Sequence, residues 1–312
     1  TLMRSSAASD VYKRQGINMF KNIEELIEDS KNYSSVTELM IAIEMEQTGR
    51  NREQIWEMME HNLETMLDSV KKGLAGKKSL TGLTGGDAKL MDDYIKSGKA
   101  LSGELILGAA RDAVAVNEVN AQMGLICATP TAGSAGCLPG VLTSAIKTLD
   151  LSHEQQVEFL FVAGAFGLAI ANNATISGAE GGCQAEVGSA SAMASAALVL
   201  AAGGSAEQAG YAIAIVLQNM LGLICDPVAG LVEIPCVHRN AMGASQAMIS
   251  ADMALAGVKT VIPVDEVVNT MYNVGRSLPA AFRETAEGGL AQTPTGLSLI
   301  HISEPTRLDV IS

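Results

Sequence analysis

Three cysteines stand where the chain turns: Cys183 in AEGGCQAEVG (179–188), Cys225 in GLICDPVAGL (222–231) and Cys236 in VEIPCVHRN (232–240). Gly181 and Gly182 precede the first, Pro227 follows the second by two positions, and Pro235 precedes the third. A thiol at a loop-to-helix junction faces unsatisfied backbone N–H groups and the positive end of the helix dipole. Both favour the thiolate and hence metal ligation. Cys183 meets that condition best, because an Ala-rich run from Val187 to Ala202 predicts a helix just beyond it. The separations of 42 and 11 residues are not those of a structural zinc site, which uses close cysteine pairs and four ligands. Three such thiols suit an iron–sulfur cluster, and three thiolates on four irons leave one iron open as a Lewis acid for a hydroxyl and a carboxylate. The competing reading is that all three are small buried hydrophobes, and composition leaves the two about level. Cys127 and Cys137, in GLICATPTAGSAGCLPG (124–140), read more simply as core.

Other polar groups lie in the same stretches. Thr129, Thr131 and Ser134, among Gly133 and Gly136, can present hydroxyls and backbone N–H groups to a substrate carboxylate, although a plain turn would look similar. Glu180 and Glu186 flank Cys183, where either can assist a cluster or act as a base, with solvation at a helix start as the alternative. Asp226 and Arg239 read as structural ion-pair partners, with carboxylate clamping open to Arg239. Asn172 and Asn173 must be hydrogen-bonded if buried, by bridging helices or by a ligand. His238 adjoins Cys236, where an imidazole can serve as acid or base, but reads equally as a surface group; His61 and His153 read as solvent-facing.

The elements that must position these residues are helical. Phe20, Ile23, Leu26 and Ile27 predict a first amphipathic helix; Ser35 followed by Glu38 has the form of a capping box; and Ile55, Met59, Leu63, Met66 and Val70 mark one face of a third helix. KKSLTGLTGGDAK (77–89) reads as an ordered loop. Strict two-residue alternation is nearly absent, LVEIPCV (231–237) being the closest case. The expected fold is therefore mostly α: a single large helical domain of about 19–296 with uncharged inner helices of small residues.

The chain has 312 residues, 48% of them hydrophobic and only 4% aromatic, so its apolar mass is Ala, Leu, Ile, Val and Met, which suits close-packed helices. A formal charge of -13 disfavours nucleic acid as a partner. Between Ala113 and Gly257 the only basic residues are Lys147 and Arg239, and 119–146, 159–179, 187–206 and 208–225 carry no charge. Such lengths raise the possibility of membrane spans. Their Ala, Gly and Ser content, their internal Asn and Gln, and the lack of basic flanks or aromatic belts argue against it. Five cysteines without a disulfide-scaffold context, and no signal-peptide pattern, predict a cytoplasmic protein. Residues 1–18 and 297–312 differ in character from the rest and are expected to be non-native flanks, as in translated adaptor sequence.

GLTGGDAK (82–89), CATPTAGSAG (127–136), ANNATISGAEGGCQAEVGSASAMA (171–194) and QNMLGLICDPVAGLVEIPCVHRN (218–240) resemble the α chain of the iron–sulfur-dependent L-serine dehydratases, over nearly all of 19–296. The resemblance implies a mostly helical catalytic domain and a 4Fe-4S cluster held at Cys183, Cys225 and Cys236. It also implies oxygen-sensitive deamination of L-serine to pyruvate and ammonia, a step of amino-acid catabolism that can feed gluconeogenesis. A base removes the Cα proton, water leaves, and the aminoacrylate hydrolyses. The base is not identified; Thr129, Thr131, Ser134 and Glu180 are the expected catalytic group. No pyridoxal phosphate is expected, although Lys77 or Lys78 would be available for a Schiff base. In the family a β domain, fused or separate, completes the enzyme; a separate β subunit and an oligomer are expected here, with low activity for this chain alone. Two other readings remain: an L-cysteine desulfidase on a similar site, and a non-catalytic iron–sulfur sensor or electron carrier.

Overall fold

The computed structural model describes residues 19–302, so the expected flank 1–18, and 303–312 of the expected flank 297–312, lie outside the described residues. Thirteen α-helices run through the described chain, joined by short 3₁₀ turns, and no strand occurs among those residues. The mostly α expectation is met.

Three helices form an amphipathic outer layer. In α1 (Ile23–Ser30) Ile23 and Leu26 point inward, and the Asn22 side chain caps the N-terminus. In α2 (Val36–Thr48) Ser35 Oγ accepts the Glu38 N–H, half of the capping box expected there. In α3 (Arg52–Gly73) Asn51 and Gln54 cap each other reciprocally, and Ile55, Leu63, Met66 and Val70 are buried along one face. The glycine-rich segment then turns through 74–86 and enters α4 (Asp87–Lys96) earlier than its loop reading suggests.

The inner helices follow: α5 (Gly103–Ala121), α6 (Cys137–Leu149), α7 (His153–Asn173), the single turn α8 (Gly178–Gly181), α9 (Cys183–Ala201), α10 (Ala206–Met220) and α11 (Cys236–Leu255). Every residue of α9 from Cys183 to Val199 is buried, and the helix packs against α6, α7, α10 and α11. A helix apolar all round belongs at the centre of a bundle. No described helix is long and apolar enough to cross a membrane. Small side chains let backbones approach closely: a Cβ on Gly73 of α3 would lie 2.1 Å from the Ala115 carbonyl oxygen of α5, and one on Gly140 of α6 2.4 Å from that of Ala109.

After α11 come α12 (Val264–Ser277) and α13 (Pro294–Ser298), and the boundary expected after residue 296 falls inside α13. The 231–237 segment forms no strand. Its neighbour Cys225 instead makes an isolated parallel bridge with Arg283.

Candidate active site

Local structure brings Cys183 and Cys225 together across 42 residues. Gly182 has φ +75 with extended ψ, and a Cβ there would lie 2.8 Å from the Leu223 carbonyl oxygen, so only glycine allows the turn that starts α9 at Cys183. The next residue, Gln184, is fully buried. Its backbone N–H donates to Leu223 O at 3.0 Å, its Oε1 accepts the Gly222 N–H at 2.9 Å, and its Nε2 reaches Met271 O of α12. Cys225 is held from its other side: its N–H donates to Phe282 O, and its carbonyl accepts the Glu284 N–H, both at 2.8 Å.

The thiols of Cys183 and Cys225 and a carboxylate oxygen of Glu186 lie within 4.8 Å of one another, all buried. Glu186 is one helical turn past Cys183 on α9, so its carboxylate returns to the same face. Gly178 leaves room for the group, since a Cβ there would sit 2.9 Å from Glu186 Oε2 and 3.1 Å from Cys225 Sγ. Cys236, the first residue of α11, is buried but lies outside that tight trio, although the charge of Cys183 still acts on it. All five cysteines carry free thiols.

The electrostatics separate the three thiols. The Cys225 thiol beside it and the Arg239 guanidinium hold Cys183 below the ordinary thiol value, against burial. Cys225 is pushed strongly up by the Cys183 thiolate and by burial, and Cys236 is pushed up mainly by burial. Burial also raises the Glu186 carboxyl, with the Thr131 hydroxyl opposing. Arg239 reaches Cys183 Sγ at 3.4 Å and Ile224 O at 2.9 Å. Its Nη2 lies 2.9 Å from Asp226 Oδ1, a charge contact without hydrogen-bond alignment. The ion pair expected of Asp226 and Arg239 is thus made between the two of them.

The hydroxyl loop closes over the carboxylate. Thr131 Oγ1 donates a short hydrogen bond to Glu186 Oε1 and lies 3.1 Å from Ser134 Oγ, which donates to Thr129 O at 3.1 Å. Thr129 Oγ1 is buried without a hydrogen-bond partner. Two asparagines anchor this loop: Gly133 O accepts from Asn117 Nδ2 of α5 at 3.0 Å and from Asn240 Nδ2 of α11 at 2.7 Å, while Asn240 Oδ1 accepts the Gly136 N–H at 3.0 Å.

Other residues fall elsewhere. Glu180 is exposed on α8, because the turn at Gly182 directs it away from the thiols; the buried carboxylate beside them is Glu186, and the exposed Glu284, next to the Cys225 bridge partner Arg283, brings a second carboxylate near. Asn172 and Asn173 bond to Phe20 O and Lys21 O, bridging α7 to the chain before α1. His238 is largely exposed and pairs with Asp87, His153 pairs with Glu60, and His61 is exposed. Cys127 is half-buried against the core, and Cys137 is buried at the start of α6 against Asn240. Lys77 and Lys78 are exposed.

Three further groups escaped sequence reasoning: Asn117, Asn240 and Glu233. Glu233 accepts the Thr81 and Thr84 hydroxyls at 2.8 and 2.7 Å and so ties the 74–86 turn to the segment that leads into Cys236. Asn117 lies beside Glu118 and Asn240 beside Arg239, so neither stood out from its polar neighbours, and nothing in the sequence paired Glu233 with residues about 150 positions away.

Two soft thiols, a third thiol close by and a buried carboxylate form a donor set that could hold a thiolate-preferring metal, with the Arg239 cation beside it. The unpartnered Thr129 hydroxyl faces no protein acceptor, which fits a loop that receives a polar ligand.

Residues 31–291 match the family profile described as serine dehydratase alpha chain. A Bacillus subtilis protein described as a probable L-serine dehydratase, alpha chain, is 61% identical over 282 residues, spanning 90% of this chain and 94% of that one. The L-serine dehydratase alpha chain of Peptoniphilus asaccharolyticus is 43% identical over 263 residues, 84% and 90% of the two chains. L-serine dehydratase 1 of Escherichia coli is 44% identical over 181 residues, which cover 57% of this chain but only 40% of that relative.

Proposed function

Because the chain belongs to the serine dehydratase alpha chain family, we propose that it is a lyase that deaminates L-serine to pyruvate and ammonia with a 4Fe-4S cluster held by Cys183, Cys225 and Cys236. The observation that carries this reading is the meeting of Cys183 and Cys225 from separate segments, beside a carboxylate and beneath a loop of hydroxyls. When bound, the cluster supplies a Lewis-acidic iron that draws electron density from the β-hydroxyl and so eases its loss.

The protein's own groups do the rest. The Thr129 hydroxyl, which has no protein partner, donates to the substrate carboxylate, on a loop braced by the hydroxyls of Thr131, bonded to Glu186, and Ser134, bonded to Thr129 O. Glu186 fixes the Thr131 hydroxyl and takes the place expected of Glu180 as the carboxylate nearest the reacting groups. Asn117 and Asn240 hold the loop in register, so that the substrate is positioned before the Cα proton is removed. The aminoacrylate left by loss of water hydrolyses without further need of the protein.

A separate β subunit completes the site. The description of the long-match relatives as alpha chains supports this, as does the additional chain carried by the Escherichia coli relative outside its matched 40%. The assembly works in the cytoplasm, as five free thiols favour.

Anaerobic reconstitution tests the reading. The wild-type chain with its β partner should release pyruvate and ammonia from L-serine in preference to sulfide from L-cysteine. Cys183→Ser, Cys225→Ser and Cys236→Ser should each lose bound iron and turnover, whereas Cys127→Ser keeps both. Retention of iron by all three serine variants would sink the proposal.

A further inference from the structure

We infer that Arg239 is the positioning residue that assembles the three-cysteine site and offsets the negative charge of the group it binds. The inference rests on the cluster reading above. Arg239 lies in the first turn of α11, three residues after Cys236, so its backbone moves with that thiol. Its guanidinium touches the other two ligand segments. Nη1 donates to Cys183 Sγ at 3.4 Å and to Ile224 O at 2.9 Å, and Nη2 lies 2.9 Å from the buried Asp226 carboxylate. Ile224 and Asp226 are the immediate neighbours of Cys225 in the chain. One side chain thus links all three segments, which are otherwise joined only through separate contacts.

The geometry calls for arginine. A planar fork reaches a sulfur, a carbonyl and a carboxylate at once; an ammonium offers one compact charge. The charge itself has few substitutes. Between Ala113 and Gly257 the only other cation is Lys147, in the last turn of α6. Arg283, across the bridge from Cys225, has its Nε buried without a hydrogen-bond partner. Asp226 in turn is fixed from behind, its Oδ2 accepting the Leu290 N–H at 2.7 Å, so Arg239 is held on a rigid support. A cation against a ligand sulfur stabilises the more negative, reduced form of a thiolate-bound cluster.

The full chain with Arg239, Arg239→Lys or Arg239→Gln, reconstituted anaerobically with iron and sulfide, tests this. Iron and sulfide per chain, the rate of iron loss to a chelator and the midpoint potential are the readouts. Arg239→Gln should lose iron about tenfold faster, as expected for removal of a charged hydrogen bond, and its midpoint should fall. Arg239→Lys should keep the potential near that of the wild type yet lose iron faster, because charge survives and the fork does not. Equal iron-loss rates and equal potentials in all three proteins would overturn the role of Arg239 while leaving the cluster reading intact. Failure of the wild-type chain to take up iron would instead overturn the cluster reading. If Arg239→Gln does not fold, Arg239→Lys decides alone: an unchanged iron-loss rate refutes the inference.

Discussion

Asn240→Ala should loosen the active-site loop and the fold together. Asn240 is fully buried on α11, where Nδ2 donates to Gly133 O at 2.7 Å and to Cys236 O at 2.9 Å, and Oδ1 accepts the Gly136 N–H at 3.0 Å. The weaker contact of the Cys137 thiol with Oδ1 at 3.5 Å has a substitute in the Asn240 backbone carbonyl at 3.6 Å, which leaves three bonds to lose. The three losses differ in cost. Gly133 O keeps the Asn117 amide at 3.0 Å, and Cys236 O keeps its place in the helical ladder, so each of those two bonds contributes about 0.5–1 kcal/mol. The Gly136 N–H loses its acceptor and stays buried, at a cost of about 1–3 kcal/mol. The total is about 3 kcal/mol. For a domain of this size that is a fall in Tm of about 6–12 °C, readable by far-ultraviolet circular dichroism on the apo chain. Catalysis should suffer beyond the loss of folded protein, because the loop bearing Thr129, Thr131 and Ser134 loses a clamp. A misplaced positioning loop lowers kcat/KM on the order of 10–100-fold, measurable well below the variant's Tm. A Tm within 2 °C of wild type together with unchanged serine kinetics would refute the claim that Asn240 holds this loop.

Two further expectations concern the elements around the site. Glu118 is buried, accepts the Asp87 N–H at 2.6 Å and is raised above its ordinary value of 4.5 by burial. The folded state therefore binds its proton more tightly than the unfolded chain, so the stability it contributes is complete below about pH 4.5 and is lost as pH rises through the folded-state value. Glu118→Gln removes that dependence: the stability of the variant minus that of wild type, from urea titrations, should be more positive at pH 8 than at pH 4.5, and a flat difference would contradict it. Gly73→Ala should destabilise although alanine is the better helix former by about 1 kcal/mol. The new Cβ would meet the Ala115 carbonyl oxygen of α5 at 2.1 Å, and relieving that overlap costs about 1–3 kcal/mol net; a rise in Tm would show that α3 and α5 can part without penalty.

The arrangement concentrates polarity where the chain has least of it. Glu186, Asp226 and Arg239 are three of the few charged residues between Ala113 and Gly257, and all three converge on the thiols. Glu118 and Glu233, from the same stretch, serve the 74–86 turn, which they tie to α5 and to the approach to Cys236. Of the other charged residues of this stretch, Lys147, Asp150, Glu154, Glu180, Glu207 and Asp252 are exposed.

The helices were legible in the sequence because their causes are local. Ser35 with Glu38, the spacing of Ile55, Leu63, Met66 and Val70, and the Ala-rich run after Cys183 each act through neighbours a turn away. The turn chemistry around Cys183 was equally readable, since Gly182 must take a positive φ where the helix begins. What the sequence could not assign was which side chains meet. Of the two carboxylates flanking Cys183, the sequence reading places Glu180 in the catalytic group; the turn at Gly182 sends it to solvent, and one turn of helix returns Glu186 to the thiols. Gln184 pairs with Gly222, Glu233 with Thr81 and Thr84, and Asn240 with Gly133, over separations of 38 to about 150 residues. Periodicity reports which face of a helix is apolar, and capping reports where it starts, because both are short-range. The partner of a buried polar group depends on how helices distant in sequence cross, and only the packed structure decides that.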